Sequence, residues 1–195
     1  MASQSDIFDL LIIGGGINGA GIARDASGRG LSVALVEAGD FGGATSSAST
    51  KLIHGGLRYL EFYEFGLVRK ALKEREVLLD IAPHISWPQS FVLPSAPERP
   101  DWKLRAGLFL YDHLARRRVV PGSNRIDLRQ DRAGRALESH YTHAFRYWDG
   151  WVDDARLVIA NIADAAARGA NVRSRTRVDS TQWDGAAWTV ALSDG

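Results

Sequence analysis

Apolar positions along the chain alternate between short continuous runs and longer periodic stretches. Phe8–Ile13 is a run with the length and β-branched content of a buried strand. Ala20, Ala23 and Ala26 then place small residues on one side of a helix that begins near Ile17 and stops at Gly28-Arg29-Gly30. A second strand, Leu31–Val36, follows at once. From Gly66 to Ile81 the residues Leu67, Val68, Ala71, Leu72, Leu78, Leu79 and Ile81 recur near helical spacing. Arg69, Lys70, Lys73, Glu74 and Glu76 lie largely opposite, which predicts an amphipathic helix ended by Pro83.

Further on, the pattern predicts a strand over Ser86–Pro94, a turn over Pro97–Asp101, and a helix from Trp102 to Arg117 that breaks at Pro121-Gly122. Leu128–Leu137 reads as a short polar helix and Ala144–Trp148 as a short aromatic strand. Over Asp153–Arg168, Leu157, Val158, Ile159, Ile162, Ala163 and Ala166 form an apolar helical face closed by Gly169, with Asp153 and Asp154 suited to cap its first turn. Val172–Arg177, Val178–Trp183 and Ala187–Leu192 read as strands, the last two joined as a hairpin through Asp184-Gly185. Ser193-Asp194-Gly195 is a turn signal, so the sheet is expected to break off there.

The chemistry gathers around the first strand. Gly14, Gly16 and Gly19 have the G-x-G-x-x-G spacing: Gly14 for the tight turn, Gly16 for close approach of a pyrophosphate to the main chain, Gly19 for close packing of helix on strand. The helix starting at Ile17 aims free N–H groups and the positive end of its dipole at such a phosphate. Glu37 ends the second strand eighteen residues after Gly19, where a carboxylate can accept hydrogen bonds from both ribose hydroxyls of an adenosine. Strand, helix, strand and acid together predict an α/β dinucleotide-binding fold. Ala38–Thr50 is small and polar, with Gly42-Gly43 and the hydroxyls of residues 45–50, and it runs into Lys51–Leu60, which is apolar enough to be buried. A loop so placed reads as a ligand wall.

Composition narrows the picture. Lys and Arg number 24 against 23 Asp and Glu, a net charge of +1, which argues against nucleic acid as a partner. With no cysteine there is no disulfide framework, thiolate metal site or cysteine nucleophile, and the composition fits a reducing compartment. His140 and His143 lack a third ligand at helical spacing, so no metal is expected. No apolar run reaches the roughly 18 residues of a membrane span, and Met1–Asp6 is polar and too short for a secretory signal. A cytoplasmic location is expected.

Several stretches together resemble the FAD-dependent glycerol-3-phosphate dehydrogenase family. They are IGGGINGAGIARD from Ile13, TSSASTKLIHGGLRYLE from Thr45 with Thr50 where serine is expected, ALKEREVLLDIAP from Ala71, GLFLYDHL from Gly107 and WVDDARLV from Trp151. Arg125–Thr142 fits less well. The resemblance implies a Rossmann-like FAD-binding domain of glutathione-reductase type with a β-meander over residues 1–195, broken off before the substrate domain is complete, with 84–150 an insertion contributing to that domain. It implies FAD as cofactor, sn-glycerol 3-phosphate as substrate, a quinone as electron acceptor, peripheral contact with the inner face of the cytoplasmic membrane, and a homodimer as the assembly.

The resemblance also assigns residues. Gly14, Gly16, Ile17, Asn18, Gly19, Glu37, Thr45, Ser46, Ser47, Ser49, Lys51, His54, Gly55, Gly56 and Val178 are expected at FAD, Val178 through its backbone to the adenine. Arg58 and Tyr59 are expected at the substrate, Arg58 as a phosphate or hydroxyl ligand and not as a base. No catalytic base is assigned. From the residues alone, Arg58-Tyr59 can equally be a surface arginine beside a core tyrosine, and His54 a buried, satisfied histidine rather than a contact of the flavin ring edge. Two other functions share the glycine turn: an NAD-dependent dehydrogenase, which leaves the hydroxyl loop and residues 51–59 without a purpose, and an inactive flavin-domain fragment.

Overall fold

The computed structural model describes residues 6–97 and 100–194. Residues 1–5, 98, 99 and 195 lie outside that description, and with them most of the polar N-terminus, part of the turn expected over Pro97–Asp101, and the last residue of the terminal turn signal. In chain order the elements are β1 (Leu10–Ile13), α1 (Ile17–Gly28), β2 (Val33–Val36), β3 (Leu52–Ile53), α2 (Phe65–Ile81) and β4 (Ser86–Pro94). They continue with α3 (Asp101–His113), β5 (Asn124–Asp127), β6 (His143–Val152), α4 (Asp154–Ala167), β7 (Asn171–Arg173), β8 (Thr176–Trp183) and β9 (Trp188–Asp194). Two compact units result, one running to Thr50 and resuming at Asp153, the other comprising Lys51–Val152.

The first unit is built on a parallel sheet of order β1-β2-β7, with Leu10 opposite Val33 and Ala34 opposite Asn171. α1 and α4 pack together over one face, where Ile12, Ala20, Ala23, Ala26, Val33, Leu35, Val158, Ile162 and Ala165 make the core. The alanine side of α1 is what lets α4 come close. β2, at the centre, is buried at all four positions, as its continuous apolar run predicts. β1 is at the sheet's edge and its end is not buried: Ile13 is 61% exposed, which corrects the expectation for Phe8–Ile13. Both strands are shorter than expected. Leu31 is used to close α1, its amide donating to the carbonyl of Ala26 after Gly30 at φ +87°, so β2 starts only at Val33.

The strand expected over Val172–Arg177 is interrupted at Ser174-Arg175, where Arg175 takes φ +51°. The amides of Arg175 and Thr176 donate to the carbonyls of Gly39 and Glu37, turning the chain across the end of β2. β8 and β9 then form the expected hairpin, in which Gly185 has φ +102° and the Asp184 carboxylate accepts from the amides of Ala186 and Ala187.

The second unit is an antiparallel sheet around β6, with β4 along one edge and β3 and β5 at opposite ends of the other. Pro88 and Pro94 suit β4 because it is an outer strand. β6 runs to Val152, well past the expected Ala144–Trp148: Asp149 is buried against Arg75 and Gly150 lies against the carbonyl of Ile53. Leu128–Leu137 holds only a 3-10 turn, Arg132–Ala136, because Leu128 still donates to Thr142 in continuation of β5. α3 stops at His113 rather than Arg117, since the amides of Arg118 and Val119 reach away to Glu76 Oε2 at 2.8 Å each. Glu76 and Arg75 of α2 are buried, while Leu67 and Ile81, assigned to its apolar face, are exposed.

Candidate functional site

Backbone sterics shape the glycine turn. Gly14 leaves β1 at φ +107°, its amide donating to the carbonyl of Val36. Gly16 is the N-cap of α1, with no side-chain cap and no acidic residue in the first turn. A Cβ on Gly19 would lie 1.9 Å from the carbonyl oxygen of Gly14, so helix and turn touch main chain to main chain. A Cβ on Gly16 would meet only Ser46 Oγ, at 3.3 Å, so its approach is open. Gly15, to which the spacing assigns no role, is as constrained as Gly19: a Cβ would lie 2.5 Å from Phe41 Cδ1 and 3.0 Å from Glu37 Cβ. The run of three glycines was its only signal. Ile17 and Asn18 stand exposed at the helix start, where the helix dipole favours an anion.

Glu37 is locked to this turn. Its Oε2 accepts from the Gly15 amide at 2.7 Å and its Oε1 from the Gly39 amide at 2.8 Å. Its own backbone is fixed on both sides, the amide donating to Arg173 and the carbonyl accepting from Thr176. Each carboxylate oxygen keeps a lone pair for a further hydroxyl donor.

The hydroxyls of the following loop divide. Thr45–Ser47 is a 3-10 turn in which Ser46 Oγ accepts from the Ile17 amide at 3.0 Å, placing that hydroxyl at the helix start. Thr45 is exposed. Ser47 Oγ turns back to the carbonyl of Ala44, and Ser49 Oγ donates to Asp154 Oδ2 at 2.7 Å. Asp153 caps α4 by accepting from the Arg156 amide, whereas Asp154, buried, serves Ser49 and the Ala155 amide. Val178 is half-buried in β8 opposite Leu192, next to a bulge that ends at Ser180.

The remaining expected residues fall in the second unit. Lys51 is half-buried at φ +57° just before β3. Burial of the whole Lys51–Leu60 run is not observed, because only Gly55 and Gly56 are buried. His54 is exposed, which removes the buried-histidine alternative. Gly56, at φ +73°, starts a 3-10 helix over Leu57–Phe62 that carries Arg58 and Tyr59 on the surface. Tyr59 is 47% exposed and so is not a core tyrosine; its ring lies over Gly56, where a Cβ would come within 2.5 Å of Cδ2.

Behind this turn lies a polar cluster that periodicity did not single out. Tyr111 Oη donates to the Asp149 carboxylate, at 2.8 Å from Oδ1 and 3.0 Å from Oδ2, and accepts from the Gly55 amide at 2.8 Å. Arg75 Nη1 meets Asp149 Oδ1 at 2.7 Å, and Arg75 Nη2 meets Glu76 Oε1 at 3.2 Å. Burial, then the charge of Asp149, push the Tyr111 phenol well above its ordinary value, so it stays a donor. The one available signal was charged residues, Arg75 and Glu76, breaking an apolar helical face.

Among the described residues no group of three His, Cys, Asp or Glu side chains gathers to hold a metal, and no helix is long and apolar enough to cross a membrane. His140 meets Glu138 and His143 meets Thr142.

Residues 9–195 match the family model described as FAD dependent oxidoreductase. The chain is 56% identical to D-erythritol 1-phosphate dehydrogenase of Brucella abortus, over 96% of this chain and 38% of the relative. It is 54% identical to aerobic glycerol-3-phosphate dehydrogenase of Escherichia coli, over 95% of this chain and 37% of the relative. The chain thus spans little more than a third of their length. Among solved structures, glycerol-3-phosphate dehydrogenase from Bacillus halodurans complexed with FAD superposes with a TM-score of 0.69 at 30% identity, covering 100% of this chain and 31% of that one. An open glycine turn, an acid locked against it and a match over nearly the whole chain agree: the chain belongs to the FAD dependent oxidoreductases, with their α/β FAD-binding fold and FAD as cofactor.

Proposed function

We propose that this chain supplies the flavin-binding portion of a dehydrogenase that oxidises the secondary alcohol of a polyol monophosphate, with sn-glycerol 3-phosphate giving dihydroxyacetone phosphate. The observation that carries the reading is Glu37 held at 2.7 Å from Gly15 beside an unobstructed Gly16, a cradle fit for adenosine ribose and pyrophosphate. Gly14, Gly16, Ile17, Asn18, Gly19 and Ser46 hold the pyrophosphate; Glu37 holds the ribose and the Val178 backbone meets the adenine. Thr45, Ser47, Ser49, Lys51, His54, Gly55 and Gly56 complete the expected flavin set; the Ser47 and Ser49 hydroxyls donate to Ala44 and Asp154, and a hydroxyl oxygen that donates can still accept. Bound FAD supplies the hydride acceptor.

Arg58 and Tyr59 face the substrate. A guanidinium matches phosphate oxygens two at a time and keeps its charge at any working pH, so Arg58 binds and orients the substrate but takes no proton. The identities to relatives named for glycerol 3-phosphate and for D-erythritol 1-phosphate are nearly equal, and both names describe a phosphate on a polyol. Residues 84–150, within the 51–152 unit, are the contribution to the substrate domain. Electrons leave to a quinone from a cytoplasmic protein in peripheral contact with the membrane, a reading supported by the cysteine-free composition and by Trp102 and Phe109, exposed on α3.

The purified chain should take up FAD and show flavin absorption near roughly 450 nm, and should not retain NAD. Extended at its C-terminus to the length of the relatives, it should reduce a dye with sn-glycerol 3-phosphate or D-erythritol 1-phosphate. Uptake of NAD in place of FAD would overturn the flavin site; flavin-loaded extended protein inert toward both phosphates would overturn the substrate class.

A further inference from the structure

Tyr111 of α3, Asp149 of β6 and Arg75 of α2 are each no more than 3% exposed, and none was expected at the site. Burying a phenol, a carboxylate and a guanidinium is costly, and apolar residues of the same volume would hold the fold at least as well. What the apolar alternative cannot supply is a partner for the Gly55 amide, which is buried and turned inward onto Tyr111 Oη at 2.8 Å, with Asp149 Oδ1 farther off at 3.3 Å.

The turn has no slack at that point. A Cβ on Gly55 would lie 2.2 Å from Leu72 Cδ2 and 2.6 Å from Tyr111 Oη. The next residue, Gly56 at φ +73°, accepts from the Tyr59 amide at 2.8 Å and starts the 3-10 helix of Arg58 and Tyr59. The chain of contacts therefore runs from Arg75 and Asp149 through Tyr111 to the Gly55 amide, and from there in three residues to the Arg58 guanidinium. A fork of donors recognises a phosphate only at the right angle, so the orientation of this turn bears directly on substrate binding.

We propose that Tyr111, held by Asp149 and Arg75, is a positioning residue that sets the Gly55-Gly56 turn and thereby aims Arg58 and Tyr59 at a phosphorylated substrate. The assignment of Arg58 to the substrate rests on the flavoenzyme reading; the control of the turn by Tyr111 does not.

The test is Tyr111→Phe, which keeps the ring and removes the hydroxyl. Amide hydrogen exchange at Gly55 and Tyr59 should speed up roughly three- to tenfold, the loss of one neutral hydrogen bond, with α2 and β6 unchanged. In the flavin-loaded, C-terminally extended protein, KM for sn-glycerol 3-phosphate should rise by a similar factor while kcat at saturating flavin holds. Combined with Arg58→Lys, the effects should be less than additive, since both act on one interaction. Asp149→Asn, which keeps the volume, should reproduce the exchange result. Unchanged exchange at Gly55 overturns the positioning role, as does a loss confined to kcat with KM unchanged, or strict additivity with Arg58→Lys. If the unsubstituted extended protein oxidises no polyol phosphate, the flavoenzyme reading falls, and amide exchange still decides whether Tyr111 governs the turn.

Discussion

The carboxylate of Glu37 accepts a 2.7 Å hydrogen bond from the amide of Gly15, joining the end of β2 to the turn after β1. The acid is thus oriented before any ribose arrives, and a second bond from the Gly39 amide fixes its other oxygen. Glu37→Ala should weaken FAD binding by about 1–3 kcal/mol, roughly five- to a hundred-and-fortyfold, because the ribose hydroxyls lose their acceptors and the Gly15 amide loses its partner. Fluorescence titration with FAD measures this. Affinity equal to that of the unsubstituted chain would exclude Glu37 from the ribose.

Gly16 and Gly19 should separate binding from folding. A methyl at 19 collides with the Gly14 carbonyl, whereas one at 16 needs Ser46 Oγ to shift by only a few tenths of an ångström. Gly19→Ala is therefore expected to lower the melting temperature sharply, and Gly16→Ala to leave it nearly unchanged while weakening FAD uptake. Gly16→Val should abolish uptake, since a branched side chain fills the space where pyrophosphate meets backbone. Thermal melts with and without FAD read both effects, and full flavin occupancy in Gly16→Val would refute the assignment.

The first unit was legible because its signals are local. The G-x-G-x-x-G spacing, the alanine side of α1 and the acid at the end of β2 each report backbone geometry within a few residues. The errors lie where long-range contact overrides local pattern. β6 was expected to stop at Trp148 and runs on through Asp149 and Gly150, both buried, because Arg75, seventy-four residues away, neutralises the carboxylate. Glu76 looks solvated and is buried because it accepts the amides of Arg118 and Val119. The Ser47 and Ser49 hydroxyls donate to Ala44 and Asp154, a direction that no spacing encodes. Residue type and spacing place a hydroxyl in a loop; they do not say which way it turns.

Tyr111 should make stability depend on alkaline pH. Its folded pKa lies above the ordinary 10.0, with burial the larger cause and Asp149 the next, so the unfolded chain loses this proton first. The stability held in the neutral phenol is complete below pH 10.0 and is lost as pH rises beyond it, at about 1.4 kcal/mol per pH unit. Tyr147, half-buried near the same carboxylate, is shifted up for the same reasons and adds in the same direction. Urea unfolding at about pH 8 and about pH 11 should show a large drop for the unsubstituted chain and a smaller one for Tyr111→Phe. Equal drops would mean the phenol is not held neutral by the fold.

Peripheral membrane contact is the remaining prediction, and α3 is where it can be tested. Trp102 and Phe109 are 67% and 64% exposed and lie seven residues apart, so they share a side, while Leu108 and Tyr111 point inward. Arg116, Arg117 and Arg118 lie beyond the end of α3: Arg117 sits 3.7 Å from Asp112, Arg118 sits 3.1 Å from Asp80, and Arg116 has no ion pair among the described residues. Arg116 and Arg117 join Arg69 and Lys73 around an open cavity of about 760 Å³ whose one carboxylate is Asp112, a net basic surface suited to anionic headgroups. Solvated arginines beside an ordinary exposed tryptophan are the competing explanation, and salt separates the two. Flotation with vesicles rich in anionic lipid should carry the chain, should weaken as ionic strength rises, and should drop at least about tenfold when Arg116, Arg117 and Arg118 become glutamine, at roughly 1 kcal/mol per basic residue near the surface. Trp102→Ser should weaken it further by removing the group that enters the interface. Binding indifferent to salt and to the glutamine substitutions would place any membrane contact on another surface.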